Sequence, residues 1–174
     1  YIGNSGSGDL AVCKAGDYMI FPLKKYVWVS TKFSKDHPAV DFGWDRDYCT
    51  STQEIVAPYD MKVVKEGYDS VIGNYIYAQA TYEGKKYTFR FIHLYSTSVS
   101  KGDSVKRGTV IGRMGNTGSS SAGTHLHFDI LAGHRTTLPS DRYANSYDAM
   151  KLCYAPSDVV VDKETLADFK VLRV

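Results

Sequence analysis

From Tyr26 to Leu131 the chain is a run of short segments rich in branched and aromatic residues. YVWVSTKF, VDFGW, MKVVKEG, NYIYAQATY, KYTFRFIHLY, GTVIGRMG and THLHFDIL are each cut off by Gly, Asp or Ser. Segments of that length and make-up are β-strands, and the 3.6-residue apolar period of a helix is scarce between them. YAQATYEGKKYTFRF reads as strand, tight Glu83-Gly84 turn and strand, the pattern a hairpin requires. The expected fold class is therefore all-β, a mainly antiparallel sheet with an open groove and few short helices. Alternation in the second hairpin strand places Thr88 and Arg90 outward, opposite Tyr87, Phe89 and Phe91. Continued, it would put His93 on the face of Phe91.

Length and composition set the frame around that sheet. A chain of 174 residues that is 43% hydrophobic fits one globular domain with a sizeable core. YIGNSGSGD is small and polar, so residues 1–20 are expected to be a linker, of the kind that joins a domain to a preceding one. The core is expected over 21–135. The polar loop HRTTLPSDRYANSY then leads into a C-terminal extension over 136–174, packed on the core by a short helix or added strands. A start at Tyr1, without a methionine or an apolar leader, reads as that of a processed or excised piece.

The same figures exclude several functions. A net charge of +2, from 21 basic and 19 acidic residues, is too balanced for a nucleic-acid binder. No apolar run approaches the roughly 18 residues of a membrane span. Cys13, Cys49 and Cys153 cannot all pair, show no CxxC spacing, and none sits beside a histidine, so a thiolate enzyme has little support.

Chemistry gathers on the histidines. A lone histidine is more often a hydrogen-bonded or surface residue than a ligand, and His134 in AGHRTT is read that way. GTHLHFDIL is different. As a strand it sends Leu126, Phe128 and Ile130 to one face and His125, His127 and Asp129 to the other. Two imidazoles on the polar side of a strand whose other side is core point to a metal or catalytic site. Zinc suits the available donors, since imidazole and carboxylate are borderline ligands and a catalytic zinc keeps three protein ligands and one open position.

The ordered set HPAVD (His37, Asp41), HL (His93) and HLHFD (His125, His127), the last preceded by GNTGSSSAG, resembles the zinc endopeptidases of the lysostaphin and LytM type. These form peptidase family M23, which cuts peptidoglycan cross-bridges. VSTKF, VAPYDMKVVKEG and VSKGDSVKRGTVIGRMGNTG follow the family's order, so the resemblance spans Tyr26 to Leu131. It implies one zinc ion per chain, held by His37, Asp41 and His127, with His93 and His125 beside it as catalytic residues. It also implies a partner, the peptides of bacterial peptidoglycan. The location would be extracellular, at a cell surface or on a virion, because such domains also occur in phage tails and lysins. No HExxH glutamate is present, so a neutral histidine would take the proton of the attacking water, and the residues leave open whether His93 or His125 does so.

The chain departs from the family pattern at several positions. Ala39 stands where Gly is usual in the first motif, and Asp129 where Glu usually follows the last ligand. Phe91 stands where Tyr commonly precedes the HL histidine, and Met61 replaces Gly at a strand start. Thr31 occupies the place where some members carry a tyrosine six residues ahead of the first ligand, a phenol that would assist the oxyanion. A non-catalytic M23-like module that grips peptidoglycan is the main rival, although such members usually lack a ligand. A biotinyl or lipoyl carrier would fit VSKGDSVKRGTVIG but leaves the histidines idle and finds a poor match around Lys62. A cupin would need a Glu near Leu131, and a metallo-β-lactamase-like site a third His at Ile130. GWDRDYCTSTQ and GNTGSSSAG are the expected walls of the groove, with Trp44 and Tyr48 packing on a peptide or on each other.

Overall fold

A computed structural model describes residues 17–24, 28–43, 53–156 and 170–172. Along the chain these form β1 (Val29–Thr31), β2 (Val40–Phe42), β3 (Glu54–Val56), β4 (Met61–Asp69), β5 (Gly73–Tyr82), β6 (Lys85–Leu94) and β7 (Ser96–Thr97). There follow β8 (Ser104–Val105), β9 (Val110–Arg113), β10 (Leu126–Ala132), β11 (Ser146–Tyr147), α1 (Ala149–Leu152), β12 (Tyr154–Pro156) and β13 (Lys170–Leu172). The main sheet runs β1-β2-β10-β6-β5-β4-β8, with β11 also on β10, and every pair in it is antiparallel. A second antiparallel sheet, β3-β9-β7, packs against it. The β5–β6 hairpin turns at Glu83 (φ +51) and Gly84 (φ +76), two left-handed residues in sequence as a type I′ turn requires.

One face of the sheet is apolar because alternation holds strictly there. Val40 and Phe42 of β2, Leu126, Phe128 and Ile130 of β10, Phe89 and Phe91 of β6, and Ile76 and Ala78 of β5 are all fully buried. Phe91 lies directly across from Phe128, with ring centroids 5.2 Å apart, and Phe21 closes the cluster edge-on to Phe42 at 4.4 Å. Each such ring is worth about 2–3 kcal/mol of burial. Packing begins ahead of the expected boundary at residue 20: Met19 is wholly buried and Ile20 bridges Tyr154. The remainder of the expected linker, residues 1–16, lies outside the described residues, as do Cys13, Cys49, Trp44 and Tyr48. Among the described residues, no helix is long and apolar enough to cross a membrane.

The opposite face is covered as well, and here two expectations are corrected. Thr88 and Arg90 do not face solvent; they are 0% and 3% exposed. Chain following β10 folds back over them: Thr88 Oγ1 donates to the Gly133 carbonyl at 2.7 Å, and β11 pairs with β10. Alternation had assigned the correct face but could not show what covers it. Asp129, directly across from Arg90, accepts from Arg90 Nη1 at 2.7 Å and from Arg142 Nη2 at 2.8 Å. Arg90 also lies over the Tyr77 ring, 5.1 Å from its centroid. The described part of the expected extension thus packs on the core through the Arg142 contact, β11 and the buried helix α1, which Asp148 caps by accepting from the Met150 N–H.

The third correction concerns His93. Between the pairs Asn74↔Leu94 and Ile76↔Phe91 the register shifts, with three steps on β6 for two on β5. This bulge carries His93 at φ +68, in the left-handed region where glycine is usual. The extra residue reverses the alternation, so His93 leaves the face of Phe91 and joins that of His125 and His127. The bulge is pinned by the 115–121 loop: the His93 N–H donates to the Ile72 carbonyl, His93 Nδ1 bonds the Thr117 carbonyl, and Thr117 Oγ1 donates to Leu94 O. Gly73 makes the close approach possible, since a Cβ there would sit 2.2 Å from Thr117 Oγ1.

Two outcomes are expected. Gly73→Ala should destabilise the protein by about 1–3 kcal/mol, from the clash and the left-handed backbone, and should shift the His93 ring resonances. An unchanged melting temperature and unchanged resonances would show that the loop does not hold the ring. For Asp129, burial opposes ionisation but the Arg90 charge beside it prevails, so its folded-state carboxyl lies below the ordinary range. A depressed pKa contributes stability that is fully present above the ordinary carboxylate range and lost as the pH falls through the folded-state value. Asp129→Asn should therefore cost about 3–5 kcal/mol at pH 7, by leaving buried guanidinium charge uncompensated, and should flatten the stability profile below about pH 4. Urea titrations of both proteins from pH 7 to pH 2 measure this, and parallel profiles would refute it.

Candidate metal centre

Register brings the first group together. Asp41 on β2 is the direct partner of His127 on β10, so both project from the same face. His37 lies four residues before Asp41, in the segment leading into β2, where its Nδ1 bonds the Ala39 carbonyl at 2.9 Å. Ala39, which departs from the glycine usual in the pattern it resembles, is buried and not among the described left-handed residues, so its methyl group is accommodated. His37 Nε2 then stands 3.2 Å from Asp41 Oδ2, and His127 Nδ1 3.0 Å from Asp41 Oδ1. One donor atom from each of His37, Asp41 and His127 falls within 4.8 Å of the others.

His125 and His93 flank this group. His125 Nε2 is 3.9 Å from Asp41 Oδ1, and the His93 ring is 4.9 Å from that of His125 and 6.0 Å from that of His127. A carbonyl can only accept, which assigns the tautomers of three rings. Nδ1–H of His37 donates to Ala39 O, that of His93 to Thr117 O at 2.8 Å, and that of His125 to Gly123 O at 2.7 Å. Each of these rings, when neutral, therefore carries its lone pair on Nε2. Backbone anchors of this kind fix the orientation of metal ligands and catalytic bases alike. His134 is elsewhere, with Nε2 on the Ala80 carbonyl.

The electrostatics would favour a bound cation. Burial works against the Asp41 charge, but His127 and His37 outweigh it and hold the carboxyl well below its usual range. Asp41 Oδ1 is buried, yet no donor makes a well-directed hydrogen bond to it despite the two imidazoles close by. A carboxylate and two imidazole nitrogens that converge with one carboxylate oxygen left unsatisfied are a donor set that fits a divalent, borderline ion such as zinc. His37 is raised by its bond to Asp41, against burial, and the Arg142 charge is near enough to work against that rise. His93 is lowered, chiefly by burial and further by the charges of His125 and His127. A buried imidazole of that kind stays neutral at physiological pH and can accept a proton.

The structure thus brings together all five residues singled out in the sequence. It adds one that was not, Arg142, which reaches Asp129 from within the polar loop after β10. That loop holds two arginines, Arg135 and Arg142, and no period in it distinguishes the one that reaches Asp129.

Comparison with known proteins agrees with this geometry. The model of "Peptidase family M23" matches residues 35–139. A peptidoglycan DD-endopeptidase of Vibrio cholerae, ShyC, is 36% identical over 77 residues, which are 44% of this chain and 17% of that protein. Among solved structures, a zinc-containing peptidase from Vibrio cholerae superposes with a TM-score of 0.62 at 25% identity, over 78% of this chain and 40% of the other. Lysostaphin from Staphylococcus simulans gives 0.58 at 25% identity, over 78% and 52%. The chain spans under a third of the length of the curated relatives it matches. With over half its length matched by the family model, and the three candidate donors gathered at one place on the expected sheet, the chain belongs to peptidase family M23.

Proposed function

We propose that the protein is a zinc-dependent endopeptidase that hydrolyses peptide cross-links or stem peptides of bacterial peptidoglycan. The observation that carries this reading is the convergence of His37, Asp41 and His127 within 4.8 Å, flanked by two histidines whose Nδ1 atoms are tied to backbone carbonyls. His37, Asp41 and His127 would hold the ion. Zinc so bound would supply a Lewis acid for the scissile carbonyl and would bring the pKa of a coordinated water to roughly 7. His93 and His125 do the proton work: a neutral Nε2 accepts the proton of the attacking water and returns it to the departing amine. The partner histidine, when it carries a second proton on Nε2, donates that N–H to the carbonyl oxygen and steadies the charge that develops there. The substrate class rests on the family and on the named activity of the Vibrio cholerae relative. On that reading the protein would work at the cell wall, outside the cytoplasm, on a secreted, surface-bound or phage-borne molecule.

Zinc content and the clearing of purified cell walls test this together. The wild type should carry about one zinc per chain and release peptides from walls. His127→Ala should lose the metal, whereas His125→Ala should keep it and lose about 10²–10⁴-fold in rate, the usual contribution of a general base. A wild type that binds zinc and walls but releases no new amino groups would instead be a non-catalytic binding module. Absence of zinc binding by the wild type would overturn the reading.

A further inference from the structure

Asp129 is one carboxylate shared by two guanidiniums. Its Oδ2 accepts from Arg90 and Arg142 together, while the residue itself is 0% exposed. Arg90 alone balances that charge, and Arg90 is enclosed, 3% exposed beneath the sheet's covering chain. The second guanidinium is therefore in surplus, and it is the one that reaches solvent, with 31% of its side chain exposed. Its position is set from both sides. Asp129 and His127 project from the same face of β10 in successive same-face places, about 7 Å apart. Tyr143, next to Arg142, stacks on Phe33 in the segment leading to His37, with centroids 5.8 Å apart and planes at 29°. The turn is closed by Asp141, whose Oδ1 accepts from the Ala144 N–H. A partly exposed cation, fixed on one side by a buried carboxylate, thus stands close enough to the candidate metal centre for its charge to act on the His37 ring.

We propose that Arg142 is a specificity-determining residue of this site, where it binds a free carboxylate carried by the peptide substrate near the scissile bond. The proposal rests on the peptidase reading above. A guanidinium offers several N–H donors in a rigid fork, so it can hold Asp129 through Nη2 and still bond a second carboxylate, which a lysine ammonium does with less directional control. Asp129 orients the fork before substrate arrives. Arg142 lies beyond the residues matched by the family model, so this contact belongs to the chain's own extension.

Cross-linked peptide dimers released from cell walls, used either intact or with their free carboxylates converted to carboxamides, provide the test. The wild type should cleave the acidic dimer about tenfold more efficiently or better, chiefly through a lower KM, as expected for a charge-assisted bond. Arg142→Gln should lose that preference by a raised KM for the acidic dimer, and Arg142→Lys should retain part of it. Zinc content and melting temperature of each variant separate this from a general loss of structure. Equal cleavage of both dimers by the wild type would overturn the proposal, as would a variant that slows both equally. If the wild type cleaves neither dimer, the peptidase reading fails. Equilibrium binding then decides the carboxylate contact: tighter binding of the acidic dimer by the wild type than by Arg142→Gln supports it, and equal binding refutes it.

Discussion

Everything at the candidate metal centre depends on the ladder between β2 and β10. Asp41 and His127 are cross-strand partners, so the carboxylate and the imidazole are held by backbone hydrogen bonds rather than by each other. The same two strands bury Phe42, Leu126 and Phe128 on the reverse side. A one-residue slip would exchange the faces, taking three apolar side chains out of the core and Asp41 and His127 into it, so the hydrophobic pattern itself enforces the geometry of the two donors. Site and core are two sides of one pairing.

The sequence made part of this legible because alternation has a short period. THLHFDIL separates its faces within a few residues, and the paired φ-positive turn at Glu83 and Gly84 follows from residue type. His93 was harder. A bulge is a single inserted residue, and nothing in RFIHLY announces where it falls; its position is set by Ile72 and Thr117, which approach from other parts of the chain. Thr88 and Arg90 show a different limit. Alternation tells which way a side chain points, but whether water or protein lies there is decided by the segment beyond Gly133, in which no period can be read.

The departures from the family pattern acquire physical meaning in this setting. Asp129 in place of the usual Glu is shorter by one methylene and sits between Arg90 and Arg142, at the point where β6, β10 and the extension meet. Ala39 shows the reverse case, a replaced glycine whose backbone needs no left-handed conformation and whose carbonyl still anchors His37. The Thr31 position, exposed on β1, offers no phenol to the site.

β1 and β2 form the margin of the main sheet, and β2 is joined to it by three residue pairs with β10. An ion held by His37 and Asp41 on that margin and by His127 on the inner strand would act as a rivet across the seam. Loading the ion and ordering the edge would then be one event. Amide hydrogens of β2 would report occupancy of the centre, and a chelator would fray the sheet from that side while leaving the β5–β6 hairpin intact.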